Sequence, residues 1–418
     1  MGLGIYLHYP LEDSGKASKE GYEQFFRGLT SVIPDWEIKC DFEESGFRVG
    51  LVPFEEEVYG NYEDGELHIS ARTNSAGPGY HAYLVDVLDQ LPAAPLAVFD
   101  ETDYYEHRDY QKLQDSMNSW LQGLSNALTQ EGQYSDTESL SISLSLQMIP
   151  MDDEHFTCCP LGFFDRAFFE KAIKGESNNS EFFIWWNQET DALFYRNSAL
   201  YLMWYENNWL APVLDSEFEI LRATLSCLEK AYSLSEHLHY PVAEWLELAE
   251  LDGDPVQIQK AQQLQHKGQA FSTKSANVKL GYRKGQVSSQ IIGGWRLVHD
   301  GKMHFERDED GTAIWWDQDR TIRASLISLA PKEGIDSSNE SLLQSVIQDE
   351  SGYESFALKN SKAAAAIQHS QITEEDGELC QQTRLFVALN NELLILSVYY
   401  PDKNNRDWAT SICANLVC

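Results

Sequence analysis

The 418-residue chain has no run of about 18 uninterrupted apolar residues, which excludes a hydrophobic membrane-spanning helix. Its opening segment, MGLGIYLHYPLEDSG, lacks the basic and apolar regions of a secretory signal. Tyr6 stands where N-myristoylation asks for Ser or Thr. Basic residues are scarce: 31 Lys and Arg face 66 Asp and Glu, a formal net charge of −35. Phosphates are repelled by such a charge, so direct binding to nucleic acid or to an anionic membrane is not expected. The seven cysteines are Cys40, Cys158, Cys159, Cys227, Cys380, Cys413 and Cys418. They form no CxxC pair and no Cys/His zinc spacing, and read as reduced thiols in a cytoplasmic protein. The sequence also lacks the phosphate loop GxxxxGK[ST], the dinucleotide loop GxGxxG, the HExxH zinc motif, an EF-hand loop and the GxSxG nucleophile elbow. No catalytic residue, cofactor or metal site is therefore expected.

What is present is an ordinary globular composition with an unusual charge distribution. Hydrophobic residues make up 43% and charged residues 23%, so a packed core is affordable, and the length suits two or three domains. Aromatics reach 12%, with 11 Trp, a supply that serves both cores and protein contacts. From Ser275 onward there are 20 acidic and 14 basic residues, leaving 46 and 17 in the first 274. The N-terminal part is thus where a cationic partner is expected.

The pattern along the chain is α+β. Strands are expected at GIYLHYP, WEIKCDF, FRVGLVPF, ELHISAR and LSISLSL, with a hairpin formed by EFFIWW and ALFYR. Helical spacing appears at 19–33, 79–91, 110–130, 163–174, 198–207, 216–237 and 241–270. The last third changes to short strands, VKLGYR, GWRLVH, MHFERD, TAIWWD, IRASLISL, SFALKN, AAAAIQHSQI, ELCQQTRLFVAL and ELLILSVYY, with helices at 340–349 and 406–416. This predicts an acidic α+β N-terminal domain over 1–264, a linker over 265–277, and a C-terminal domain over 278–418. The C-terminal domain is expected to be an antiparallel sheet packed by helices on one side.

The stretch RTNSAGPGYHAYLVDVLDQL, Arg72 to Leu91, has the strand–loop–helix order of a phosphate site. No Lys or Arg follows Arg72 within it, and Asp86 and Asp89 oppose an anion, so it is better read as a turn set by Gly77-Pro78-Gly79. His81 has no sequence-visible partner. His237 and His239, two apart, do not share a helix face. Cys158-Cys159 near His155 proves no dyad, and Asp308, Glu309, Asp310, Asp317 and Asp319 flank a hairpin as solvated turn residues. The mixtures FEEEVYGNYEDGE and FDETDYYEHRDY carry more. They set Glu55, Glu56, Glu57, Glu63 and Asp64 beside Tyr59 and Tyr62, and Asp103 beside Tyr104 and Tyr105. Carboxylates steer a cationic partner and tyrosines supply contact area; the alternative is a pair of solvated acidic loops.

With these features the chain resembles the immunity proteins of bacterial polymorphic toxins, including those that neutralise type VI secretion effectors. TRLFVAL, ELLILSVYYPDKNNRDW and the closing helix through Asn415 resemble the DcrB-like or PsbP-like fold, which small type VI effector chaperones share. The resemblance implies protein binding. The expected function is neutralisation of a cognate toxin, such as a basic nuclease, by occlusion of its active cleft through the ten acidic and tyrosine residues named above. An effector chaperone and a hydrolase remain as alternatives.

Overall fold

In the computed structural model the described residues are 2–130, 155–159, 162–266, 285–291, 294–328, 338–347, 352–358, 361–373 and 379–417. Two compact units divide the chain, with the change falling between Tyr282 and Arg283. Gln265 and His266, at the start of the expected linker, belong to a helix; the rest of 265–277 lies outside the described residues, as do LSISLSL and VKLGYR.

The N-terminal unit contains β1 (Gly4–Pro10), α1 (Lys19–Arg27), β2 (Lys39–Glu43), β3 (Gly46–Gly50), β4 (Val58–Glu63), β5 (Glu66–Arg72), α2 (Pro78–Leu88), β6 (Ala97–Asp100), α3 (Tyr104–His107) and α4 (Tyr110–Gln130). After these come β7 (His155–Cys159), β8 (Gly162–Asp165), α5 (Arg166–Ile173), α6 (Ala192–Tyr201), α7 (Asp215–Leu234), α8 (Val242–Asp252) and α9 (Pro255–His266). Six strands form one antiparallel sheet in the order β2-β3-β4-β5-β1-β6. Alternation decides its faces: Ile5, Leu7 and Tyr9 of β1, and Leu67, Ile69 and Ala71 of β5, are buried on one side. Tyr22 and Phe26 of α1 are buried with them, Phe26 lying 4.8 Å from Phe47.

Three expectations change here. The hairpin of EFFIWW and ALFYR is not formed. Phe182, Phe183, Ile184 and Trp185 are buried, but the Asp191 side chain accepts from the Phe194 N–H and starts α6, so ALFYR is helical. VYGNYE, absent from the expected strands, is strand β4. Asp64 and Gly65 both have positive φ, the requirement of a tight two-residue hairpin, and Glu63 faces Glu66 across it. The helix expected over 163–174 is preceded by strand β8.

The C-terminal unit contains β9 (Gln286–Gln290), β10 (Arg296–Asp300), β11 (His304–Arg307), β12 (Ala313–Trp316), β13 (Thr321–Ser328), α10 (Asn339–Ile347), β14 (Glu354–Ser355), β15 (Ala364–Thr373), β16 (Leu379–Leu389), β17 (Glu392–Tyr400), α11 (Arg406–Ala414) and β18 (Leu416–Val417). A seven-stranded antiparallel sheet runs β11-β12-β13-β17-β16-β15-β14, and a three-stranded sheet runs β18-β10-β9. The class is α+β as the sequence predicts, but the large sheet is covered on both faces. Leu385 and Val387 of β16 join Trp295, Leu297, Ala409 and Ile412 in one core. Phe386 and Ala388, pointing the other way, pack with Leu343 of α10. A strand buried on both sides carries an unbroken apolar run, which is what LFVAL shows. Its polar half is pinned separately: the Thr383 hydroxyl lies 2.9 Å from His369 Nδ1 and 2.9 Å from the Tyr400 hydroxyl.

The tightest approach in the N-terminal unit is at Gly79. A Cβ there would stand 1.9 Å from Trp185 Cδ1 and 2.5 Å from the Asn187 carbonyl oxygen. Gly79→Ala is expected to destabilise the unit by about 1–3 kcal/mol, the usual cost of overpacking. Denaturant unfolding followed by tryptophan fluorescence measures it, and an unchanged midpoint would show that Trp185 moves aside freely.

Candidate functional site

The loop between β5 and α2 is a buried joint. Glu55, which precedes β4, turns inward, and its Oε2 accepts the N–H groups of Ser75 at 2.9 Å and Ala76 at 2.8 Å. Ala76 and Gly79 then exchange backbone hydrogen bonds with Trp185, the Trp185 N–H donating to Ala76 and its carbonyl accepting from Gly79. Asn74 accepts from the Leu3 N–H through its side-chain oxygen. The small residues of RTNSAGPGYH therefore permit close packing of four chain segments. The loop's amides are occupied by a carboxylate and a carbonyl, which leaves no phosphate cradle.

His81, on the first turn of α2, is fully buried at the centre of a polar network. Its Nδ1 lies 2.9 Å from the Thr73 hydroxyl, and its Nε2 lies 3.2 Å from Asp100 Oδ2 and 3.1 Å from the Thr102 hydroxyl. Burial alone would raise the Asp100 carboxyl. The hydrogen bond and charge of His81, with the N–H groups of Thr102 and Tyr105, outweigh it and hold the carboxyl at about 2. With side-chain exposures of 0% for His81 and 3% for Asp100, this imidazole–carboxylate pair is closed to solvent in this structure. Its geometry fastens the end of β6 to α2.

The ten residues expected to bind a partner are scattered by the pleat of the sheet and by burial. Glu55 is withdrawn from the surface, and its place in the patch is corrected accordingly. Tyr104 is likewise buried, 3% exposed, edge-on to His81. Tyr62 points to the opposite face of β4 from Tyr59 and packs edge-on to Phe47 beneath the Lys19 ammonium. Glu56 pairs with Arg72 at 3.3 Å and Asp103 with Lys112 at 2.7 Å. Tyr105 is half-buried with the Arg108 guanidinium over its ring. Exposed at the tip of the β4–β5 hairpin are Glu63 and Asp64, with Glu57 half-buried at the other end of β4.

Tyr59 belongs to a surface that sequence reading missed. The register sets Phe99, Tyr6, Ser70, Tyr59, Arg48 and Asp41 in one row across the outward face of the sheet. Phe99 is 62% exposed, Tyr6 44% and Tyr59 41%, and the Tyr6 and Phe99 rings lie 6.0 Å apart. Leu96 and Val98 beside it are also exposed, but Val98 stands opposite Leu7 and so belongs to the other face of the edge strand β6. The next row carries His8 opposite His68, with Glu66 two residues from His68 on the same face. Only alternation within GIYLHYP and ELHISAR signalled these rows, and pairing of two distant strands was needed to assemble them.

The remaining candidates have structural roles or lie beyond description. His237 and His239 are exposed after the end of α7. Cys158 and Cys159 are in strand β7, and their side chains lie outside the described residues. Asp308 pairs with Arg323, Asp310 accepts from the Thr312 N–H, and Asp317 accepts from the N–H groups of Asp319 and Arg320. A depression of about 340 Å³ is lined by Leu88, Asp89, Leu91, the 92–95 loop and Tyr105. No described helix is long and apolar enough to cross a membrane.

No protein-family model matches the chain, and no curated protein matches it in sequence. Among solved structures, a protein from Bacteroides thetaiotaomicron is similar at 14% identity and a TM-score of 0.27, over 32% of this chain and 48% of that one. The cyanobacterial PsbP (CyanoP) of Synechocystis sp. PCC 6803 is similar at 9% identity and a TM-score of 0.17, over 31% of this chain and 89% of that one. This chain thus spans about half the length of the first.

Glu55 makes the joint sensitive to pH. Burial pushes its carboxyl up to about 7 from an ordinary 4.5, against the pull of the N–H groups of Ala76, Glu56 and Ser75. The folded chain thus holds this proton to higher pH than the unfolded chain does. The resulting stabilisation is fully present below about 4.5 and is lost as pH rises through about 7. Stability relative to Glu55→Gln is expected to fall as pH is raised from about 5 to about 8. Denaturant midpoints of both proteins across that range check the sign.

Proposed function

We propose that the chain captures and neutralises a basic protein toxin, in the manner of a cytoplasmic immunity protein, and that the outward face of the six-stranded sheet is its binding surface. The observation that carries this reading is the exposed aromatic row Phe99, Tyr6 and Tyr59, with the exposed carboxylates of Glu63 and Asp64 at the tip of the strand that bears Tyr59. Aromatic side chains of this kind supply interface anchors, and a few such residues commonly dominate affinity. The surrounding charge fits a cationic partner: the first 274 residues hold 46 acidic and 17 basic groups. Opposite charge raises association rates from about 10⁵–10⁶ toward 10⁸ M⁻¹s⁻¹ or more at low salt. Such capture limits the damage done by a toxin inside the cell. The mechanism is occlusion and asks for no catalytic group.

The tagged chain should capture a basic protein from the lysate of its native host. Expressed alone, that protein should arrest growth, and co-expression with the chain should restore it. In binding kinetics, combined Glu57→Lys, Glu63→Lys and Asp64→Lys should slow association by about tenfold or more and flatten its salt dependence. Phe99→Ala should speed dissociation by an amount on the order of 2 kcal/mol. A captured protein that is harmless to cells, or kinetics unchanged in both variants, overturns this reading.

A further inference from the structure

We infer that His8, His68 and Glu66 form a binding site for a divalent transition metal ion of the zinc class. The three residues come from two adjacent strands. His8 of β1 is directly opposite His68 of β5, and Glu66 lies two residues before His68, so all three side chains leave the same outward face. Glu66 Oε2 is 3.2 Å from His8 Nδ1 and 3.5 Å from His68 Nε2. Zinc bonds of about 2.0–2.2 Å to nitrogen and oxygen place tetrahedral ligand atoms about 3.3–3.4 Å apart. Two edges of the ligand triangle therefore already have the required length. All three ligand atoms lie within 4.8 Å of one another. The third edge closes by rotation of the imidazoles, whose rings are now stacked at 4.1 Å and 30°. Side-chain exposures of 43% for His8, 37% for Glu66 and 35% for His68 leave the rings room to turn and leave one coordination position open to water.

The donor set selects the metal. Two imidazole nitrogens and one carboxylate oxygen suit zinc and its neighbours, whereas Mg²⁺ and Ca²⁺ prefer all-oxygen sites. A chain of net charge −35 also concentrates cations near its surface. The competing account is an imidazole–carboxylate hydrogen bond that recruits no ion.

Titration of the intact chain with Co²⁺, followed by visible absorption and then by Zn²⁺ and Mg²⁺ competition, separates the two. Binding should give the d–d bands of a nitrogen and oxygen site without thiolate-to-cobalt charge transfer. Zn²⁺ should displace the ion and excess Mg²⁺ should not. His8→Ala and His68→Ala should each weaken affinity by more than about tenfold, since loss of even an outer-shell partner commonly costs that much. Glu66→Gln should weaken it as well, while Asn61→Ala, beside His68 in the same row, should not. All four substitutions lie on the outward face, and an unchanged circular dichroism spectrum confirms that each variant folds. Absence of the d–d bands, thiolate charge transfer, or affinity unaffected by His68→Ala would each overturn the assignment.

Discussion

The N-terminal unit depends on a carboxylate placed where water does not reach. Glu55 leaves the segment before β4 and satisfies two consecutive amides of the β5–α2 loop, Ser75 and Ala76. With those amides held, Ala76 and Gly79 meet Trp185, and two backbone hydrogen bonds tie the 182–185 segment to the loop and the start of α2. Asn197 of α6 extends the tie by donating to the carbonyls of Phe183 and Ile184. A buried acid is tolerated here because its removal would strand amide donors that nothing else satisfies. The His81 network, at the same end of α2, fastens β6 to this joint as the sixth strand.

This joint determines what the outer face of the sheet looks like. With one face taken up by the core, alternate residues of β1, β4, β5 and β6 are left pointing outward. Aromatic and histidine rows then arise from register alone. Residues far apart in sequence become neighbours because β1 pairs with β5 and β6, and the spacing of functional groups follows the strand separation.

Much of the architecture was legible in the sequence. Period-2 and period-3.6 patterns identify β1, β5, α4 and the long strands of the C-terminal unit, because each buries one regular face. The failures share a cause. VYGNYE was hidden by its acidic flanks, and EFFIWW looked like a strand because its burial comes from tertiary contacts. The expectation of one covered face in the C-terminal sheet underestimated LFVAL, whose unbroken apolar run belongs to a strand between two layers. The binding residues read from FEEEVYGNYEDGE were treated as one patch. A strand sends successive side chains to opposite faces, so Tyr59 and Tyr62 were never on the same surface. Glu55 could not be told from Glu56 and Glu57 by composition, since only the loop at Ser75 distinguishes it.

The doubly buried strand β16 carries a further consequence for how the chain reaches its fold. A strand with one polar face resists sliding, because a one-residue shift would drive polar groups inward. In LFVAL both faces are apolar, so hydrophobicity by itself does not choose between neighbouring alignments. The choice falls to the two-residue turn Asn390-Asn391, both at positive φ, which closes β16 on β17, and to the hydroxyl of Thr383, which meets His369 on one side and Tyr400 on the other. One turn and three polar side chains thus act together as the index mark of the C-terminal unit, setting the native alignment apart from a one-residue slip.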